Sequence, residues 1–506
     1  MKRILGICFI GFALPTAMIA QQSGPLSAVD WLSDSVVLNP DNSGLTPPIE
    51  APITETANAP TVAVTALDAP TPDRTGLFDA AMTGLPQNLW STSSTADIVP
   101  LVAAQPISGL PAAQDLLRLL ILTEAEPPFD ANAKGQLFLA RVDKLLDIGA
   151  VEPAMALLSA VPEKSPEVFQ RWFDVSLLTG DEARACETIS ASDALTPNYP
   201  TRVFCFARNG DWANAALSLS TRRAVGDISE DEAHLLERFL DPALFDGEPP
   251  LPRPARITPL KFRLHQAIGE GIATQTLPQA FAHADLSDTA GWKNQLEAAE
   301  RLARTGAIPI DILYDLYLSR RPAASGGVWD RARAIQALDK ALGAQDETAV
   351  EAALPAAWAA MQTTQTEVAF AGIFGNKLAA MDLSATAAET AHDIALLSSD
   401  YETLAFDGED AAFVDQIAWG DPQNPQTDLE HAIFTGFRTD TENELTELAR
   451  NGKLGEALLQ SIASIQTTAA SDLQTVTEVL SFWRSVGLED TARRAALQLL
   501  ILNRFK

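Results

Sequence analysis

From about Gly76 to the C-terminus, apolar residues recur at three- and four-residue spacing. That is the period of an amphipathic helix, and no stretch sustains the alternation of a strand. "LPAAQDLLRLLILTEAEPPF" reads as a helix ended by proline, and "KGQLFLARVDKLLDIGAVEPAMALLSAVP" as helix, tight turn at Gly149, and helix again. In "SPEVFQRWFDVSLLTGDEARACETISAS", Val168, Trp172 and Val175 share a face and Gly180 closes the helix. Gly210 plays the same part in "NGDWANAAL". The pattern returns at Gly306, at Gly452 in "RNGKLGEALLQSI" and at Gly487 in "SVGLEDTARRAALQLL".

The register of these hairpins repeats. Gly149, Gly180 and Gly210 stand 31 and 30 residues apart, and each is followed five positions later by alanine: Ala154, Ala185 and Ala215. Gly452 with Ala457 and Gly487 with Ala492 repeat the offset. Pro166 and Pro197 each lie seventeen residues after a turn glycine. With Gly210-Asp211-Trp212 and Ala215, this resembles a degenerate tetratricopeptide (TPR) repeat, a helix–turn–helix unit of about 34 residues. The match is closest over 134–220 and looser over 440–506. It departs where the family has small residues and this chain has Val142, Phe173 and Val203. The resemblance implies an all-α α-solenoid of antiparallel hairpins that presents a concave face to a protein.

Other segments interrupt the helical pattern. "MKRILGICFIGFALPTAMIA" (1–20) has two basic residues, an apolar run and a small terminal residue, the make-up of an export signal peptide. Residues 21–75 are rich in Pro, Thr and Ala and read as a disordered linker. Within it, 24–37 holds an amphipathic island (Leu26, Val29, Leu32, Val36) that docks either on its own chain or on a partner. A helical-repeat domain is expected over 76–247, a Pro-rich linker over 248–259 and a middle helical domain over 260–405. An acidic loop over 406–428 and C-terminal repeats over 429–506 follow.

Charge and cysteines set the compartment and the partners. The net charge of −30 opposes binding to nucleic acid and to anionic membranes. No later apolar run is long enough for a membrane span after signal cleavage. An exported, periplasmic chain would retain two cysteines, Cys186 and Cys205, either as buried thiols or as a disulfide. The repeat register puts them on neighbouring antiparallel helices and so favours the bond, which closes a loop worth ~3 kcal/mol.

The chemistry is sparse. The five histidines, His234, His265, His283, His392 and His431, show no zinc-helix spacing and read as packing or surface residues. No nucleophile elbow, phosphate loop or dinucleotide fingerprint occurs, and no cofactor is expected. One basic cluster stands out in the acidic chain: Arg320, Arg321, Ser325, Gly326, Gly327, Arg331 and Arg333. It could present backbone N–H groups and guanidinia to an anion or a partner, or be a capped helix paired to local carboxylates. Trp172, Trp292, Trp329, Trp358 and Trp483 are expected in the core, and Trp212 and Trp419 at the surface. The expected function is a non-enzymatic envelope scaffold or adaptor for a protein partner. The alternatives are a superhelical peptidoglycan lytic transglycosylase and a periplasmic chaperone.

Overall fold

The computed structural model describes residues 71–502, apart from 163, 192–197, 409–410, 440–441 and 469–471. The expected signal peptide, the island at 24–37 and Pro197 lie outside the described residues. The described chain is all-helical. It contains no strand, only one backbone bridge between Phe78 and Thr123.

The helices of two or more turns are, in order, α1 Thr95–Ala103, α2 Pro111–Leu122, α3 Gln136–Asp147, α4 Val151–Ala160, α5 Pro166–Thr179 and α6 Glu182–Ala191. Then come α7 Tyr199–Arg208, α8 Trp212–Ala224, α9 Glu230–Leu240 and α10 Pro259–Ala267. After a 3-10 segment, Gln279–Leu286, follow α11 Trp292–Arg304, α12 Ile310–Ser319, α13 Val328–Gly343, α14 Glu347–Thr364 and α15 Glu367–Ala379. The last are α16 Ala385–Leu396, α17 Phe413–Trp419, α18 Asp428–Arg438, α19 Glu444–Arg450, α20 Leu454–Thr468, α21 Leu473–Ser485 and α22 Glu489–Ile501.

The five expected turns share one geometry. Gly149, Gly180, Gly210, Gly452 and Gly487 all have φ between 79° and 86°, a region that costs an L-residue steric strain. The N–H after each glycine reaches back five residues to a carbonyl: Ala150 to Leu145, Asp181 to Ser176, Asp211 to Phe206, Lys453 to Leu448 and Leu488 to Trp483, all at 2.7–2.9 Å. These bonds satisfy carbonyls that a helix end leaves without partners. The alanines five positions on (Ala154, Ala185, Ala215, Ala457 and Ala492) are all fully buried. The offset therefore has a packing cause, since each alanine is where the second helix of a hairpin meets a neighbour.

The array closes on itself. α1 and α2 pack against α3 on one side and against α20 and α22 on the other. Trp90 is fully buried against Gly455, and Thr92 donates to the carbonyl of Gly452 at 2.5 Å. α2 lacks a side-chain N-cap of its own. Its Ala112 N–H donates instead to Gln498 Oε1 at 2.8 Å, so α22 supplies the cap. The buried apolar side chains form one continuous core from Leu85 to Leu502. The Pro-rich stretch 248–259 carries only the first residue of α10, and α10 packs on both α5 and α9 across it.

Two expectations change. The linker was drawn to residue 75, but 71–75 are docked. Thr71 Oγ1 donates to Asn132 O, and the Asp73 carboxylate accepts from the Phe138 N–H at 2.7 Å. The anchor beneath them is Arg141, fully buried, whose guanidinium donates to the carbonyls of Asp73, Thr75, Ile121 and Thr123. Burial pulls its pKa down to about 10. The acidic stretch 406–428 was read as a loop, but it contains α17, whose Asp415, Ile417 and Ala418 are buried. Two turns are too short for a helical period to show among seven residues with flanking Gly and Pro.

Charges inside α3 are paired. Asp143 takes a bidentate pair from Arg171 of α5 at 2.7 and 2.9 Å. Lys144 pairs with Asp147 at 3.2 Å and donates to the carbonyl of Gln105. Unpaired, each of these charges would cost several kcal/mol in such surroundings.

Candidate functional site

Cys186 and Cys205 form a disulfide between α6 and α7, with Cα atoms 4.9 Å apart and both residues buried. It locks two successive hairpins together.

The next hairpin, α7–α8, exposes an unusual surface. α8 buries only Ala215 and Leu219. At 3.6 residues per turn, Trp212, Ala213, Ala216, Leu217, Ser220 and Ala224 fall within an arc of about 140°. All six are exposed, with Trp212 at 52% and Leu217 at 64%. α8 carries no acidic residue, although the chain is strongly acidic overall. Its start is fixed by Asp211, which accepts from the Asn214 N–H at 3.2 Å. Trp212 and Trp419 are thus at the surface, while Trp172, Trp292 and Trp483 are buried and Trp329 and Trp358 partly so.

The basic cluster is divided. Arg331 turns to Glu300 of α11, donating to Oε1 at 2.7 Å, and Tyr317 O–H donates to the same oxygen at 2.7 Å. Burial beside that carboxylate pushes the Tyr317 hydroxyl well above its ordinary value, so it stays a donor. Arg333 pairs with Asp330 and donates to the Ala324 carbonyl. Arg320, Arg321, Ser325, Gly326 and Gly327 remain exposed around the start of α13. The structure therefore separates Arg331 from the other members of the expected anion site. The pull of a buried carboxylate 31 residues upstream has no sequence signal.

A cleft of about 270 Å³ opens where α2 meets the α11–α12 turn and α15. Asp115 and Arg118 line it and pair with each other, and Arg118 also donates to the carbonyl of Thr305. The surrounding walls push the Asp115 carboxyl above its usual value, against the pull of Arg118 and Arg494. Here the charges act as a strut between α2 and the α11–α12 turn.

The histidines divide by environment. His283 donates from Nε2 to the carbonyl of Gly149 at 2.7 Å, and burial holds its pKa below the ordinary value. His265 is buried and lowered for the same reason, while His234 and His431 are exposed. His392 is half-buried, and its Nε2 lies 2.7 Å from Asp415 Oδ1.

The site and fold thus define a closed all-helical array of hairpins with one bare helix face. No protein-family model matches the chain, and no curated protein or solved structure matches it either.

Proposed function

We propose that the chain is an exported scaffold that holds a protein partner in the cell envelope without catalysing a reaction. The observation that carries this reading is the exposed, acid-free arc of α8. Aromatic and aliphatic side chains at the centre of a polar surface are the usual anchors of protein recognition. We read the hairpins as degenerate TPR-like units, supported by the shared turn geometry and the five buried alanines. The disulfide supports an oxidising compartment, in keeping with the signal-like N-terminus.

The test is site-specific photo-crosslinking in the native host, with the probe placed at Trp212 or Leu217 and, as control, at exposed Asp311. One discrete adduct at the two α8 positions, absent at Asp311 and lost in Leu217→Asp, is expected. Equal labelling at all three positions, or none, overturns the reading. The exported chain should begin at Gln21, which N-terminal sequencing of periplasmic material checks.

A further inference from the structure

A second surface, remote in sequence from α8, has the make-up of a ligand site. From Leu378 to Phe437 the chain contains no lysine and no arginine, but twelve aspartates and glutamates. Within this stretch a cleft of about 580 Å³ opens between α16 and residues 406–408 and 411–415. That volume is in the range of small-molecule pockets. Its walls include Ala385, Ala388, Glu389, Phe406, Asp407 and Ala412.

The floor is built. Asp415 is 1% exposed, and its Oδ1 accepts from the backbone N–H of Phe406 at 2.9 Å and lies 2.7 Å from His392 Nε2. The imidazole of His392 stacks on the Phe406 ring, centroids 4.2 Å apart and planes within 14°. The other carboxyl oxygen, Asp415 Oδ2, is buried and has no donor among the described residues. A buried carboxylate oxygen without a donor carries a desolvation penalty that a cationic donor would relieve. Phe406 is 64% exposed despite its stack, so the rest of its surface remains available. Basic groups that reach this stretch are already engaged, Arg438 of α18 with Asp421 and the others from α22. Arg493 binds Glu402, Glu489 and the carbonyl of Ala418, and Arg494 binds Asp490.

We propose that this cleft binds an organic cation of the alkylammonium or guanidinium class. The charge of the stretch selects the sign. Alanine walls and a phenyl ring select a ligand with an apolar stem, and the ring adds a cation–π contact. Glu389 and Asp407 sit at the walls and Asp415 at the floor, so a stem can lie along the alanines with its charged head among carboxylates. The same chemistry is offered by a free amine and by a lysine or arginine side chain of a peptide.

The experiment is calorimetric titration of the full exported chain in 150 mM NaCl with three probes: n-hexylamine, methylguanidine and an acetyl-Gly-Lys-Gly-amide peptide. Saturable one-site binding of at least one probe is expected. Phe406→Ala and Glu389→Gln should each weaken it about ten-fold or more, since either removes a direct contact with the cation. Tighter binding of the peptide than of the alkylamine assigns a protein source, and the reverse order assigns a small molecule. Both variants alter exposed side chains and leave the Asp415 hydrogen bonds in place, so their folding is secure. No saturable binding by any probe overturns the proposal. So does equal binding in wild type and both variants, which would mean counterion attraction to an acidic protein. Neither result bears on the α8 surface.

Discussion

The side-chain amide of Gln105 donates to the carbonyl of Leu459 at 2.9 Å, joining residues 354 positions apart. The same amide donates to Leu101 O, and the Gln105 carbonyl accepts from buried Lys144. One residue thus ties the first helices to α3 through its backbone and to α20 through its side chain. Gln105→Ala should cost about 0.5–1.5 kcal/mol, because a buried hydrogen bond across the seam is lost while the Leu459 carbonyl keeps its helical donor. Hydrogen exchange should quicken first along the seam, in α1 and α20. Unchanged protection in 454–465 would contradict this account of the seam.

Two glycine substitutions should differ in cause and size. Gly487 has φ of 86° and open space around it, so Gly487→Ala carries only left-handed strain, about 1–2 kcal/mol. Gly455 lies in α20, where alanine is intrinsically favoured by ~1 kcal/mol. Its added Cβ would nevertheless fall 2.3 Å from the Trp90 ring and 2.8 Å from Leu89 O. Trp90 is fully buried and cannot swing away, so Gly455→Ala should destabilise by about 2 kcal/mol or more. Urea denaturation of the two variants checks the order.

Removing the disulfide should cost about 3 kcal/mol, given the 19-residue separation of Cys186 and Cys205. A Cys186→Ser/Cys205→Ser double variant measures it against wild type. Mass spectrometry of protein purified without reductant should show two fewer hydrogens than the Cys186/Cys205 dithiol; two free thiols there would contradict the bond.

Acid should weaken the fold through His283. Burial lowers its folded pKa below the ordinary 6.5, so below about pH 6.5 the unfolded chain takes up a proton that the folded chain refuses. Its contribution is therefore fully present above that pH and is lost as pH falls, at up to about 1.4 kcal/mol per pH unit. His265 acts in the same direction. His283→Gln keeps a donor for Gly149 O but does not titrate. The melting temperature of wild type should fall more steeply between pH 7 and 5 than that of the variant, a comparison in which all other groups cancel.

Local structure was legible in the sequence and long-range structure was not. The turn glycines, the alanine offset and the cysteine pairing follow from contacts within one hairpin or between neighbours, and such contacts leave a periodic trace. Ala154 and Ala457 look like any other alanine until their burial shows why the spacing recurs. The seam leaves no trace, because Trp90 and Gly455, or Ala112 and Gln498, share no register. Arg331 was grouped with its sequence neighbours, yet the carboxylate that holds it belongs to α11. Asp415 was one of many acidic residues, and only folding shows that it is buried against His392.

An open stack of helical repeats can fray, because its terminal units touch one neighbour each and peel away first. Here the terminal units are neighbours of one another. The first hairpin to detach must break two interfaces, whichever hairpin it is, and no end offers a cheaper start. Thermal or mechanical unfolding should therefore be abrupt, with a single high barrier where a linear array would unzip in steps. Where proteases reach it, such a chain resists degradation by the slowness of its first opening.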